Sequence, residues 1–262
     1  MSQNVVVGII GGQGWMGRAL GLSLLTQGIV PAHQLVISSR AKSDNAYQDW
    51  PDVRCVTDNH ELVELADVIV LSVRPADLTN IDIKADGKLI ISLLAMASLQ
   101  VIASQVGSHR VVRAMPNAAA QIRRGYLPWY APETVNKTDR QLVQRLLESC
   151  GTAQELSKEH HIDYLTALSG SGPAYPALLA QAMLTHAQQN NMPDDIAHIA
   201  VIQTLVGGSL LLESLEADPG DMVERLIAYD GTTAKGLQAM IDGDIQQTIH
   251  RGLDAAYRAA RG

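Results

Sequence analysis

The 262-residue chain has no phenylalanine, and aromatic residues of all kinds make up 4% of it. Its interior must therefore be filled by Leu, Ile, Val and Ala, which suits α/β and all-α folds alike. Cysteine is nearly as scarce. Cys55 and Cys150 stand far apart with no CxxC or Cys/His ligand spacing, which excludes a disulfide framework and a zinc site and fits a reducing compartment. The eight histidines include the pair His160-His161, but adjacent residues point to different faces and no HExxH motif occurs, so no metal is expected. Basic residues are not in excess. Lys and Arg number 20 against 27 acids, a net charge of −7, which removes the long-range attraction to nucleic acid or anionic lipid. The start MSQNVVVGII lacks a basic segment followed by a long apolar run, and Val5 to Ile10 is too short to cross a bilayer. A cytoplasmic protein is expected, without nucleic-acid or membrane partners.

What is present is a regular alternation. Short β-branched runs at Val5–Ile10, Leu35–Ile37, Val53–Val56, Val68–Val73, Leu89–Leu93 and Arg110–Arg113 are separated by amphipathic stretches. Six strands with intervening helices predict a doubly wound parallel sheet rather than an eight-stranded barrel. From His160 onward the pattern turns helical, so the chain divides into residues 1–157 and 158–262. Ile196 to Glu213 is apolar on nearly every face, which predicts a helix buried all round. About a hundred helical residues cannot easily enclose it in one copy, so a homodimer with interlocking helical domains is expected.

After the first strand, Gly12-Gln13-Gly14-Trp15-Met16-Gly17 forms a GxGxxG loop opening a helix, the context in which this motif holds a dinucleotide pyrophosphate. The first glycine permits the turn, the second lets the backbone approach the phosphates, and the third lets the helix pack on the sheet. The second strand ends in Ser38-Ser39-Arg40 rather than in an acid. A carboxylate there would accept ribose hydroxyls and repel a 2′-phosphate, so NADP is favoured over NAD.

Further motifs join this loop: Val73-Arg74-Pro75, Arg113-Ala114-Met115-Pro116-Asn117, and Leu168-Ser169-Gly170-Ser171-Gly172-Pro173-Ala174-Tyr175. Together, in this order and over nearly the whole chain, they resemble the pyrroline-5-carboxylate reductase family. The resemblance implies an N-terminal Rossmann domain followed by an all-α dimerisation domain, and NADPH-dependent reduction of a cyclic imine to proline. Carried over by position, Gly12, Gln13, Gly14, Trp15, Met16 and Gly17 would line the pyrophosphate, Ser39 and Arg40 the 2′-phosphate, and Asn59 the adenosine ribose. Val73, Arg74 and Pro75 would lie along the dinucleotide, and Ala95 and Met96 near the nicotinamide, where the family usually has Ala-Gly. Asn117 and Ser169 would stand near the substrate. The β-hydroxyacid dehydrogenases share the two-domain plan, but their catalytic Lys has no counterpart between Lys158 and Lys235. Prephenate dehydrogenases are disfavoured by the two long signatures.

The substrate loop departs from the family. Where it reads Ser-Pro-Gly-Gly-Thr-Thr, this chain has Ala228-Tyr229-Asp230-Gly231-Thr232-Thr233. Gly231, Thr232 and Thr233 can still offer N–H donors to a carboxylate at a helix start, and Thr233 matches the residue expected beside the ring nitrogen. Asp230 brings a negative charge, and like charges about 4 Å apart repel by roughly 4 kcal/mol at an effective dielectric near 20. Two placements stay open: Asp230 facing water and capping the helix, or facing inward as a group stabilising or donating to a protonated imine. The matching functions are reduction of pyrroline-5-carboxylate, reduction of a carboxylate-free cyclic imine, and a non-catalytic NADP-binding regulator.

Overall fold

The computed structural model describes residues 5–39, 46–215 and 218–261. Its centre is one eight-stranded sheet in the order β3-β2-β1-β4-β5-β6-β7-β8. The strands are β1 (Val7–Ile10), β2 (Leu35–Ser38), β3 (Arg54–Val56), β4 (Val68–Leu71), β5 (Leu89–Ser92), β6 (Val111–Ala114), β7 (Gly125–Tyr130) and β8 (Gly151–Glu155). The first six are parallel, β7 runs antiparallel to β6, and β8 is parallel to β7.

Six of these strands stand where the β-branched runs predict them. The last two were not anticipated, for reasons visible in their residues. β7 carries Pro128 in its interior, a residue that cannot donate to a ladder and argues against a strand. β8 reads Gly-Thr-Ala-Gln-Glu and is half exposed, the composition of a polar edge rather than of a buried strand.

Alternation within the strands builds two cores. Val7, Ile9, Val68, Val70, Leu89 and Ile91 face one side, where α1 (Trp15–Thr26) and α4 (Lys137–Glu148) cover them. Ile10, Ile69, Leu71, Ile90 and Val111 face the other, under α2 (Asn59–Leu65) and α3 (Leu99–Val106). Because successive side chains point to opposite faces, a sheet buried on both sides needs continuous apolar runs, which these strands have.

By internal contacts, residues 1–171 with 257–262 form one compact unit and residues 172–256 another. The link is a short helix α5 (His160–Leu165) followed by a π-helical turn at Thr166–Gly170. Pro173 and Pro176 do not kink one continuous helix. Instead α6 (Ala174–Gln189) starts afresh after Pro173, and Pro176 lies in its first turn, where a missing N–H leaves nothing unpaired.

The second unit is helical: α6, α7 (Asp194–Leu215), α8 (Pro219–Ala228), α9 (Thr232–Asp242) and α10 (Ile245–Arg261), whose last turn belongs to the first unit. Helix α7 is where the expectation of burial on all sides fails within a single chain. Ala197 and Val201 are buried, while Ile199 is 64% and Leu215 58% exposed. By length and composition this helix is apolar enough to span a bilayer, yet 11% of that stretch is buried.

Candidate active site

The strand order reverses at β1, which is flanked by β2 on one side and β4 on the other. At such a switch point the loops leaving neighbouring strands diverge and open a crevice beyond their carboxyl ends. A cleft of about 330 Å³ lies there, lined by Gly14, Ser39, Asn59, Val73, Arg74 and Asp77 among others. Five residues assigned to cofactor binding from distant parts of the sequence are thus brought together: Gly14, Ser39, Asn59, Val73 and Arg74. Pro75 follows as the first residue of a 3-10 turn, Pro75–Asn80. Arg40, assigned to the 2′-phosphate, lies outside the described residues.

The glycine loop has the shape the motif predicts. The amides of Gly11 and Gly12 donate to Ser38 O at 2.9 and 3.2 Å, which closes the turn against the end of β2. Gly11 has φ +81, and a Cβ there would fall 2.3 Å from Ser72 O. A Cβ on Gly17 would lie 2.5 Å from Gly11 O, so only glycine lets α1 approach the loop this closely. Helix α1 has Gly14 as its N-cap, no side-chain cap bond and no acid in its first turn. Its leading N–H groups are left to a ligand, and no carboxylate competes with a phosphate for them. These residues fit a dinucleotide.

Other assigned residues fall elsewhere. Gln13 accepts from Ala46 N at 3.2 Å, and Met16 packs against the core. Gln13 and Trp15 line a second, open groove of about 690 Å³ on the flank of α1, with Arg18, Leu22, Gln121 and Arg123. That groove is larger, but no strand end reaches it, so the switch-point cleft is the better cofactor site.

Two contributors escaped sequence reasoning. Tyr47 is 1% exposed, and its hydroxyl donates to Gly12 O at 2.9 Å. It ties the glycine loop from beneath, and burial pushes its phenol pKa up. Glycine at position 21 makes room for it, since a Cβ there would sit 2.3 Å from the Tyr47 oxygen. Asp77 pairs with Arg74 at 2.8 Å, so the cleft's own carboxylate is balanced by its own guanidinium. No spacing rule announces either residue; both are found by fold alone. On the neighbouring wall the Ser38 hydroxyl donates to Asn59 Oδ1, fixing that amide at the start of α2.

The residues assigned near the reacting ring follow β5 and β6. Ala95 is half-buried, and Met96 is 58% exposed on left-handed backbone, φ +61. Asn117 caps the 3-10 turn Ala118–Ile122 by accepting from Ala119 N, and its Nδ2 donates to Ser169 O at 3.0 Å. Two residues far apart in sequence and assigned to the same ring are therefore bonded to each other. Ser169 Oγ donates back to Leu165 O at 2.9 Å.

In the helical unit, Gly231 is the N-cap of α9, with no side-chain cap bond and no acid in the first turn. Thr232 and Thr233 are exposed in that turn, so neither hydroxyl is engaged in capping. Asp230 takes neither of its two expected placements in full. It is exposed, but Gly231 holds the cap position, and the Asp230 carboxylate accepts from Lys235 Nζ at 2.7 Å. Its backbone is left-handed, φ +52, a conformation glycine adopts freely and Asp tolerates better than most residues. Among the described residues no group of His, Cys, Asp and Glu is arranged to hold a metal.

Sheet order, glycine loop and the uncapped start of α1 define a dinucleotide-binding protein carrying a separate helical domain. Comparison with known proteins agrees and sharpens this. A sequence profile described as NADP oxidoreductase coenzyme F420-dependent matches residues 6–96, and one described as pyrroline-5-carboxylate reductase dimerisation matches residues 159–262. The pyrroline-5-carboxylate reductase of Pseudomonas aeruginosa is 32% identical over 94% of this chain and 92% of its own length. That of Synechocystis is 28% identical over 98% of both. The crystal structure of Plasmodium falciparum pyrroline carboxylate reductase with NADP bound superposes with a TM-score of 0.86 at 25% identity, covering 99% of this chain and 98% of that one. The chain belongs to the pyrroline-5-carboxylate reductase family. Reductive aminases of Aspergillus terreus and a prephenate dehydrogenase, at 14% identity, share the fold alone.

Proposed function

We propose that the protein reduces 1-pyrroline-5-carboxylate to proline with NADPH, as a homodimer or larger homo-oligomer in the cytoplasm. The observation that carries this is the switch-point cleft, lined by Gly14, Ser39, Asn59, Val73 and Arg74, in a chain matched end to end by pyrroline-5-carboxylate reductases. When bound, the reduced nicotinamide supplies a hydride to the imine carbon. The chain's own residues bind, orient and deliver a proton to the ring nitrogen. In this reading residues 1–157 hold the dinucleotide, through the N–H groups at the start of α1 and through Ser39 and Arg40 at the 2′-phosphate. Residues 158–262 bind substrate and form the dimer.

The substrate carboxylate is held by the free N–H groups of Gly231, Thr232 and Thr233, where helix dipole and unpaired donors favour an anion. Thr233 hydrogen-bonds the ring nitrogen and relays a proton from solvent, since a threonine hydroxyl is itself too weak an acid to be the source. Lys235 beside Asp230 bears on the two imine readings. The loop carries one positive charge for its one negative charge, so the anion site is not opposed by an uncompensated carboxylate. This favours a carboxylated imine over a carboxylate-free one. The exposed apolar face of α7 lies within the dimerisation match and is covered by a second copy.

The test is NADPH oxidation by the purified protein with 1-pyrroline-5-carboxylate, with carboxylate-free 1-pyrroline, and with NADH in place of NADPH. Turnover fastest with NADPH and the carboxylated ring is the expected outcome. Preference for 1-pyrroline would shift the substrate, and tight NADPH binding without turnover of either ring would overturn the reading.

A further inference from the structure

Arg113, the third residue of β6, is 3% exposed, an unusual place for a guanidinium. Two carboxylates meet it: Glu159 Oε1 at 2.9 Å from Nη1, and Asp163 Oδ1 at 2.8 Å from Nη2. The Glu159 oxygen also accepts the amide of Leu99 at 2.8 Å. Leu99, Arg113 and the pair of carboxylates lie on three different segments, and each segment leads to a group assigned to the reacting ring.

Leu99 opens α3 three residues after Met96. Arg113 stands four residues before Asn117. Glu159 and Asp163 flank the start of α5, which runs into the π-helical turn holding Ser169. The bond from Asn117 Nδ2 to Ser169 O closes a ring of contacts: Leu99 to Glu159, Glu159 to Arg113, along the chain to Asn117, across to Ser169, and back to α5. The switch-point residues assigned to the adenosine end, Ser39 and Asn59, take no part in it.

We propose that Arg113 is a positioning residue, a buried clamp that sets Met96, Asn117 and Ser169 as one body against the nicotinamide and the imine. This rests on the function proposed above. The physical reason for an arginine is its planar fork, which bonds two carboxylates from two directions at once; a lysine ammonium is a point charge and holds one well. Loss of the guanidinium leaves two half-buried carboxylates of α5 and its N-cap without their counter-charge, so α5 loses its tie to β6. Misplacing a reacting group by about 1 Å costs on the order of a hundredfold in rate, and a slackened clamp acts through this.

The experiment compares full-length Arg113→Gln, Arg113→Lys and Glu159→Gln with the parent. Three quantities are read: kcat with 1-pyrroline-5-carboxylate, the dissociation constant of NADPH, and that of adenosine 2′,5′-bisphosphate, which fills only the adenosine end. Arg110→Gln serves as a stability control, because Arg110, the residue before β6, makes an ion pair with Asp139 at 2.7 Å, away from these segments. The expected result is a fall in kcat of about tenfold or more for Arg113→Gln and a smaller fall for the other two. Adenosine bisphosphate binding should stay within about twofold of the parent, and Arg110→Gln should lower the melting temperature without lowering kcat.

Unchanged kcat in a folded Arg113 variant overturns the proposal, as does a parallel loss of adenosine bisphosphate binding, which marks a general structural role. If Arg113→Gln does not fold, Arg113→Lys and Glu159→Gln are judged by the same criteria. If the parent itself turns over no cyclic imine, the proposed function fails separately. The clamp is then read from the ratio of the NADPH and adenosine bisphosphate dissociation constants, which must change in the Arg113 variants for it to stand.

Discussion

Gly17→Ala sets two opposing energies against each other at the centre of the cofactor loop. Position 17 lies in the first turn of α1, and in an open helix alanine is about 1 kcal/mol better than glycine. Here the added Cβ would stand 2.5 Å from Gly11 O, 2.9 Å from Gly12 Cα and 3.1 Å from Gly11 C. All three are backbone atoms, so no side chain can swing away. Reaching an ordinary contact of 3.4 Å requires the helix start and the loop to part by about 0.9 Å, beyond what packed interiors absorb freely. Overpacking of this kind costs about 1–3 kcal/mol, at the upper end where backbone must move. The net is a destabilisation of about 1–2 kcal/mol. The same displacement pulls the loop amides off the phosphates, and each charge-assisted hydrogen bond lost is worth about 1.5–3 kcal/mol, so NADPH binding should weaken at least about tenfold. Denaturant unfolding and a fluorescence titration of NADPH measure the two effects. Gly14→Ala is the comparison, since its nearest neighbour is Gly11 O at 3.1 Å; it should cost little stability but still weaken NADPH. An alanine at position 17 that stabilises the chain by about 1 kcal/mol and leaves NADPH affinity intact would refute the close-approach argument.

Four further outcomes are expected. Tyr47→Phe removes the hydroxyl that donates to Gly12 O and leaves a buried carbonyl unpaired, which should cost about 1–2 kcal/mol in unfolding free energy and raise the NADPH dissociation constant several-fold. Arg40→Asp should weaken NADPH about tenfold or more while sparing NADH, as comparative titrations would show. Asp230→Gly relieves a left-handed backbone, φ +52, and removes the negative charge beside the anion site, so the KM for 1-pyrroline-5-carboxylate should fall a few-fold, as kinetics with the carboxylated and uncarboxylated rings would show. An unchanged KM would detach Asp230 from the site. Burial pushes the thiols of Cys55 and Cys150 up. A neutral thiol favoured by the folded state means that the unfolded chain ionises first, so stability is lost as pH rises past the ordinary thiol value. Melting should therefore fall above about pH 9, and an alkylating reagent should take the exposed Cys55 well before the buried Cys150.

Much of the nucleotide half is legible because its signals are local. A strand buried on both faces must be a continuous apolar run, and a phosphate loop must be glycine where backbone meets backbone. Gly12, Gly14 and Gly17 therefore announce their role in six residues. The helical half was legible in type but not in surroundings: Ile199 and Val206 are apolar for a reason that lies outside one chain. What escaped was non-local. β7 and β8 are held by pairing and position rather than by composition. Tyr47 reaches the loop from 35 positions away, and Asp230 meets Lys235 while Gly231 holds the N-cap position of the helix.

The order of amino acids by itself determined the glycine loop between the first strand and its helix, because that turn is made by a short stretch whose shape its own residues dictate. Tertiary structure alone decided which distant groups stand together: Asn59 with Ser38, Asn117 with Ser169, Arg113 with Glu159 and Asp163. The reason is that a charge or amide is recognised by its neighbour in space, and nothing in its own vicinity along the chain specifies what folding will bring beside it.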